Sequence, residues 1–153
     1  MRLFLVANMH LTCTNMSRDG DPVARVNEAL KEAHENGIRN IVALRGDPPH
    51  GEEEWTQDEG GFACALDLVK YIRQNYGSEF GISVAGYPEG HPNAITEIKA
   101  GEEDSLTDTE KARASVLDGV TYVCKDADYV KELAYLKEKV DAGSGKTSIL
   151  LHS

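Results

Sequence analysis

Three short apolar runs separated by stretches of helical period limit this fold more than any other feature. Residues 3–12, 41–44 and 80–85 are each mostly apolar and bounded by turn residues, as buried strands are. Between the first two, Val26, Ala29, Leu30 and Ala33 recur at helical spacing. Asp21-Pro22 suits an N-cap and first helical position, and Asn36-Gly37 suits the stop. Between the second and third runs, Phe62, Ala65, Leu66, Val69 and Ile72 share one helical face, and Gly77 ends it. Strand-helix-strand-helix-strand predicts parallel strands joined by crossover helices, with both sheet faces covered. Two α/β architectures satisfy this order: an open doubly wound sheet and a closed (β/α)8 barrel. A barrel needs about 250 residues, and this chain has 153. As a piece of a barrel it would leave two strand edges unpaired, which favours association.

Beyond the third strand the rhythm changes. Residues 93–125 are polar and acidic with few large apolar side chains, and are expected to form a surface insertion. Within it, Thr107 and Glu110 have capping-box spacing, and residues 120–124 suit a short strand. Val130, Leu133, Lys137 and Val140 then mark one face of a helix ending at Gly143, and residues 148–151 suit the start of a fourth core strand.

The formal net charge of −10, with no basic stripe, argues against nucleic acid and anionic lipid as partners. Arg2 before an apolar run looks like a signal peptide, but the run is too short, and no stretch is long enough to span a membrane. Cys13, Cys64 and Cys124 are odd in number and lack CxxC spacing, which favours a reducing, cytoplasmic setting over a disulfide framework or structural zinc.

In both architectures ligands bind at the carboxyl ends of the strands. There the sequence gathers its unusual polar groups: His10, Thr12 and Cys13 after the first run, Arg45, Gly46 and Asp47 after the second, Tyr87, Glu89, Gly90 and His91 after the third. Taken singly, Arg45 also fits a structural ion pair, and His10 a satisfied core histidine. Their convergence at one rim points to a site.

Met9-His10-Leu11-Thr12-Cys13, the run Asn40-Ile41-Val42-Ala43-Leu44-Arg45-Gly46-Asp47-Pro48 and the run Val84-Ala85-Gly86-Tyr87-Pro88-Glu89-Gly90-His91-Pro92 resemble successive strand ends of the methylenetetrahydrofolate reductase family. Gly60-Gly61-Phe62, Asp67-Leu68-Val69-Lys70 and Tyr135-Leu136-Lys137-Glu138-Lys139-Val140 fit the helices between. The resemblance runs over about residues 9–143, and its insertion is similar to that of the longer fungal members. It implies a partial (β/α)8 TIM barrel, with FAD as cofactor and NAD(P)H as reductant. The implied reaction reduces 5,10-methylenetetrahydrofolate to the 5-methyl form, in one-carbon metabolism and methionine biosynthesis. By resemblance, His10, Arg45, Gly46, Asp47, Tyr87 and His91 line the flavin site. Cys64, Ala65, Ala94, Glu132 and Lys139 fall at further cofactor-contact positions, with Glu132 where an aspartate is usual. Asp47 is implied to bind the folate pterin, since a carboxylate only accepts hydrogen bonds and pterin offers N–H donors. Full-length relatives are expected to be homo-oligomers. The family's proton-donating glutamate has no counterpart in the chain, so the chain is expected to be an internal, inactive fragment with no catalytic residue of its own.

Two alternatives stand beside this. A metal-dependent hydrolase would use His10, Asp47 and His91 as ligands, although Arg45 would place a fixed cation beside the metal. A non-catalytic fragment would associate through its open edges. Gly143-Ser144-Gly145-Lys146-Thr147 hints at a phosphate loop, but Val140 stands where a glycine is needed and a helix precedes it. The carboxylates Glu52, Glu53, Glu54, Asp58 and Glu59 fit a solvated acidic loop.

Overall fold

A computed structural model of the chain describes residues 8–12, 21–45 and 60–149, with the backbone alone for 8–12 and 146–149. In chain order the elements are β1 (Asn8–Thr12), α1 (Pro22–Glu35), β2 (Asn40–Leu44), α2 (Ala65–Tyr76), β3 (Gly81–Gly86), β4 (Ile95–Ile98), α3 (Asp108–Arg113), β5 (Ser115–Leu117), β6 (Val120–Cys124), α4 (Asp126–Asp141) and β7 (Lys146–Ile149). They divide into two units, one drawn from Met1–Ala85 and Lys139–Ser148, the other from Gly86–Glu138 and Ile149–Ser153.

The first unit is α/β, as the alternation predicts. β1 pairs in parallel with β2, and β2 with β3, while β7 lies beside β3. Helix α1 begins where the Asp21 side chain accepts the Val23 N–H at 2.9 Å, with Pro22 at its first position. It ends at Asn36, and Gly37 takes a φ of +75°, where a Cβ is unfavourable. Val26, Leu30 and Ala33 form its buried face. Helix α2 buries Leu66, Leu68, Val69 and Ile72. It starts at Ala65, so Phe62 lies before the helix rather than on it, and packs its ring edge-on to Tyr71. Ile41 and Ala43 of β2 and Ile82 and Val84 of β3 complete the core. The fourth strand starts at Lys146, two residues earlier than the apolar run alone indicates.

Arg73 links the ends of three elements in this unit. Its Nε and Nη2 donate to the Gly143 carbonyl at 2.9 and 2.6 Å, and its Nη1 to the Gly77 and Phe80 carbonyls at 2.8 and 2.7 Å. A planar guanidinium can serve all three carbonyls at once. Burial holds its pKa below the ordinary arginine value. Gly143 has a φ of +110°, and a Cβ there would fall 2.7 Å from Arg73 Nε, so this turn admits only glycine.

The second unit holds more regular structure than a surface insertion implies. β4, β6 and β5 form an antiparallel sheet in that order. β4 and β5 escape the sequence pattern because each is short and mostly exposed, so apolar alternation is absent. β5 turns into β6 through Asp118 and Gly119, both at positive φ, as a two-residue hairpin loop requires. Ile98, Leu106 and Val123 form a small core with Ala114 against it. The expected capping box is present: Thr107 Oγ1 accepts the Glu110 N–H, and Glu110 Oε2 accepts the Thr107 N–H, each at 3.1 Å.

Helix α4 forms as predicted but presents a different face. Val130, Leu133 and Val140, the apolar stripe of the sequence, are exposed, whereas Lys139 is only 7% exposed.

Candidate functional site

In the first unit the carboxyl ends of the parallel strands carry several predicted residues. Arg45 directly follows β2 and is exposed. Gly46 and Asp47, like Cys13, lie outside the described residues. His10 sits at the centre of β1, opposite Val42, and not at the strand end, because pairing with β2 continues to Thr12 opposite Leu44. Cys64 is the N-cap of α2 in extended conformation, and its side chain makes no capping bond. Its carbonyl accepts the Asp67 and Leu68 N–H groups at 3.1 and 3.4 Å. Ala65 follows as the first helical residue, half-buried. Lys139 donates from Nζ to the carbonyl of Ala85 at 2.8 Å. That places a buried ammonium at the carboxyl end of β3.

In the second unit, the turn after β3 brings Tyr87 and His91 together. Their ring centroids are 4.8 Å apart at 71°, an edge-to-face contact. Gly90, at a φ of +106°, closes the turn with its N–H on the Tyr87 carbonyl at 3.2 Å. His91 Nδ1 accepts the Asn93 N–H at 3.1 Å and so caps the short 3-10 turn Pro92–Ala94. With Nδ1 accepting, a neutral His91 carries its proton on Nε2, which leaves that atom the donor. Ala94 ends the 3-10 turn and Glu132 lies in α4, both half-buried. The acceptor for Lys139 is a backbone carbonyl, which no side-chain pattern in the sequence marks.

The second unit also holds a polar cluster. Asp126 accepts from Arg113, from Thr107 at 2.7 Å and from Thr109 at 2.9 Å, while its own N–H donates to Glu110 Oε1 at 3.0 Å. The Arg113 guanidinium lies 4.1 Å from the Tyr129 ring centroid. The Asp126 and Thr107 N–H groups hold the Glu110 carboxyl below its ordinary range. Arg113 and then Thr107 do the same for Asp126. Burial raises the Cys124 thiol, so it stays protonated near neutrality. The caps and ion pairs account for this cluster as structure. Among the described residues no three His, Cys, Asp or Glu side chains are grouped to hold a metal ion. No described helix is long and apolar enough to cross a membrane.

Comparison with known proteins is consistent across kingdoms. The family model described as methylenetetrahydrofolate reductase matches residues 2–148. The chain is similar to "Methylenetetrahydrofolate reductase (NADH) 1" of Arabidopsis thaliana, with 49% identity over 136 residues, covering 89% of this chain and 18% of that protein. "Methylenetetrahydrofolate reductase 1" of Schizosaccharomyces pombe is 58% identical over 83 residues, 54% of this chain and 13% of that protein. "Probable methylenetetrahydrofolate reductase (NADPH)" of Caenorhabditis elegans is 33% identical over 136 residues, 89% of this chain and 14% of that protein. The chain thus spans less than a fifth of the length of these relatives, whose names carry both NADH and NADPH. The metal-hydrolase alternative gains no support from any of them. A match over nearly the whole chain, together with parallel strands in the expected order, shows that the chain belongs to the methylenetetrahydrofolate reductase family.

Proposed function

We propose that this chain supplies flavin and folate contacts to a methylenetetrahydrofolate reductase, and that β1, β2 and β3 are consecutive strands of a (β/α)8 barrel. Bound FAD would supply a two-electron carrier between NAD(P)H and 5,10-methylenetetrahydrofolate. The observation that carries the proposal is the buried Lys139 ammonium on the Ala85 carbonyl. A buried cation at the carboxyl end of a strand fits a phosphate-bearing cofactor. Cys64 and Ala65 open α2, whose N-terminal dipole favours the same charge. Tyr87 and His91 offer an aromatic face and an N–H donor, which fit a flavin ring. Arg45 would stabilise negative charge on a reduced flavin. His10, Gly46, Asp47, Ala94 and Glu132 complete the proposed contacts, with Asp47 on the pterin. Turnover belongs to the longer protein, since the chain matches only 18% of its plant relative.

The test is an absorbance scan of the purified chain with FAD after free cofactor is removed. Retained flavin is expected, with loss in Lys139→Met. A folded wild-type chain that retains none overturns the proposed flavin contacts. Adding NADH and NADPH separately to the loaded chain then identifies the reductant.

Exposed Val130, Leu133 and Val140 on α4 favour a second reading, a fragment that associates with another chain. Concentration-dependent oligomers that dissociate in Leu133→Lys are its expected signature.

A further inference from the structure

We infer that Cys124 is a positioning residue for the Tyr87–His91 pair, holding the turn that carries both rings. The purpose assigned to that pair rests on the flavin proposal; the positioning does not.

Cys124 meets the turn at two places. Its side chain lies directly against Gly90: a Cβ on Gly90 would fall 2.4 Å from the Cys124 Cβ and 2.7 Å from its Sγ. The backbone of the turn therefore rests on this side chain without slack. Its backbone pairs with Ile95, the first residue after the 3-10 turn that His91 caps. One residue thus fixes the middle of the segment by contact and its exit by strand pairing. Tyr87 and His91 stand on either side of Gly90, so the height of Gly90 sets the distance between their rings.

Cys124 is itself held firmly. It is fully buried at the end of β6, and its carbonyl accepts Arg113 Nη2 at 3.2 Å. Arg113 is in turn bound to Asp126 and stacked on Tyr129. The inserted sheet therefore acts as a rigid support under a turn of the proposed site. A small, weakly polar side chain suits the position, since it fills the space without needing a strong hydrogen-bond partner. A larger one would lift Gly90 and separate the rings, because packed interiors do not absorb extra volume freely.

The experiment uses the full chain with isotope-labelled histidine and assigns His91 by His91→Gln. The ring current of Tyr87 marks the His91 ring resonances, and Tyr87→Leu gives their position without it. Cys124→Leu is expected to move them toward the Tyr87→Leu position, while Cys124→Ser leaves them in place. Methyl resonances of Leu66, Val69 and Ile72 should not move. FAD retention should fall by roughly tenfold in Cys124→Leu, about 1.4 kcal/mol. An unshifted His91 ring in folded Cys124→Leu overturns the inference. Should Cys124→Leu fail to fold, Gly90→Ala with and without Cys124→Gly decides instead. The positive φ strains the substituted position equally in both, so recovery of the His91 position in the double variant reports the steric contact alone, and additive shifts overturn the inference. A His91 ring that responds in a chain that never retains FAD supports the positioning and sinks the flavin proposal.

Discussion

The two units stabilise themselves by different means. The first buries many apolar side chains, and among them Leu30, Ile41, Leu68, Val69 and Ile72 have no exposed surface. The second has a small cluster of three buried apolar side chains, Ile98, Leu106 and Val123, together with a bonded polar network of Thr107, Glu110, Arg113 and Asp126. Area burial is nondirectional and adds up over many residues. A small core lacks that reserve, and directional bonds to charged groups then carry more of the stability. Parallel strands covered by helices need the first arrangement, whereas a three-stranded antiparallel sheet can persist with the second.

Truncating the large core should have the greatest effect. Ile72→Ala is expected to cost about 3–4 kcal/mol, against about 2 kcal/mol for Val123→Ala, in urea unfolding read at methyl groups of each unit. Equal costs would mean that the smaller core is as cohesive as the larger. Arg73→Ala comes next, at roughly 2–3 kcal/mol, because three carbonyls lose a charged donor. Arg73→Lys should recover little, since an ammonium lacks the planar fork.

Acid separates the units by direction. Glu110 and Asp126 have folded pKa values below their ordinary 4.5 and 3.8. Their contribution is therefore complete above those values and is lost as the pH falls through the lower, folded ones. Tyr122 and Tyr129 resonances should lose dispersion at a higher pH than the Leu68 and Val69 methyls. The reverse order would place the acid-sensitive network elsewhere. A smaller effect, about 1 kcal/mol, is expected for Thr107→Ala, with Thr107→Ser close to wild type. Lys31→Ala should change thermal stability by less than about 0.5 kcal/mol, because its pair with Glu35 is exposed.

Much of the candidate site was legible only through its likeness to a family. Periodicity marked strand ends, and so pointed to Arg45 and Tyr87, but it had no means of choosing Cys64, Ala94 or Lys139. Lys139 on a helix has the same spacing as any solvated lysine; its burial depends on β3, more than fifty residues earlier. The α4 stripe shows the converse. Its spacing is that of a buried face, yet Val130 and Leu133 remain exposed.

By itself the sequence determined several of the starts and stops. Asp21-Pro22, Asn36-Gly37, Gly77 and the Thr107–Glu110 box act where they were expected, because a cap bonds to backbone groups within a few residues of itself. It also determined that the first three strands run parallel, since helical crossovers leave few other arrangements. Only the tertiary structure decided the Arg73 clamp on Gly143, the pairing of β4 with β6 and the seating of Gly90 on Cys124. Each of these joins groups far apart along the chain, so each depends on packing that no local pattern encodes.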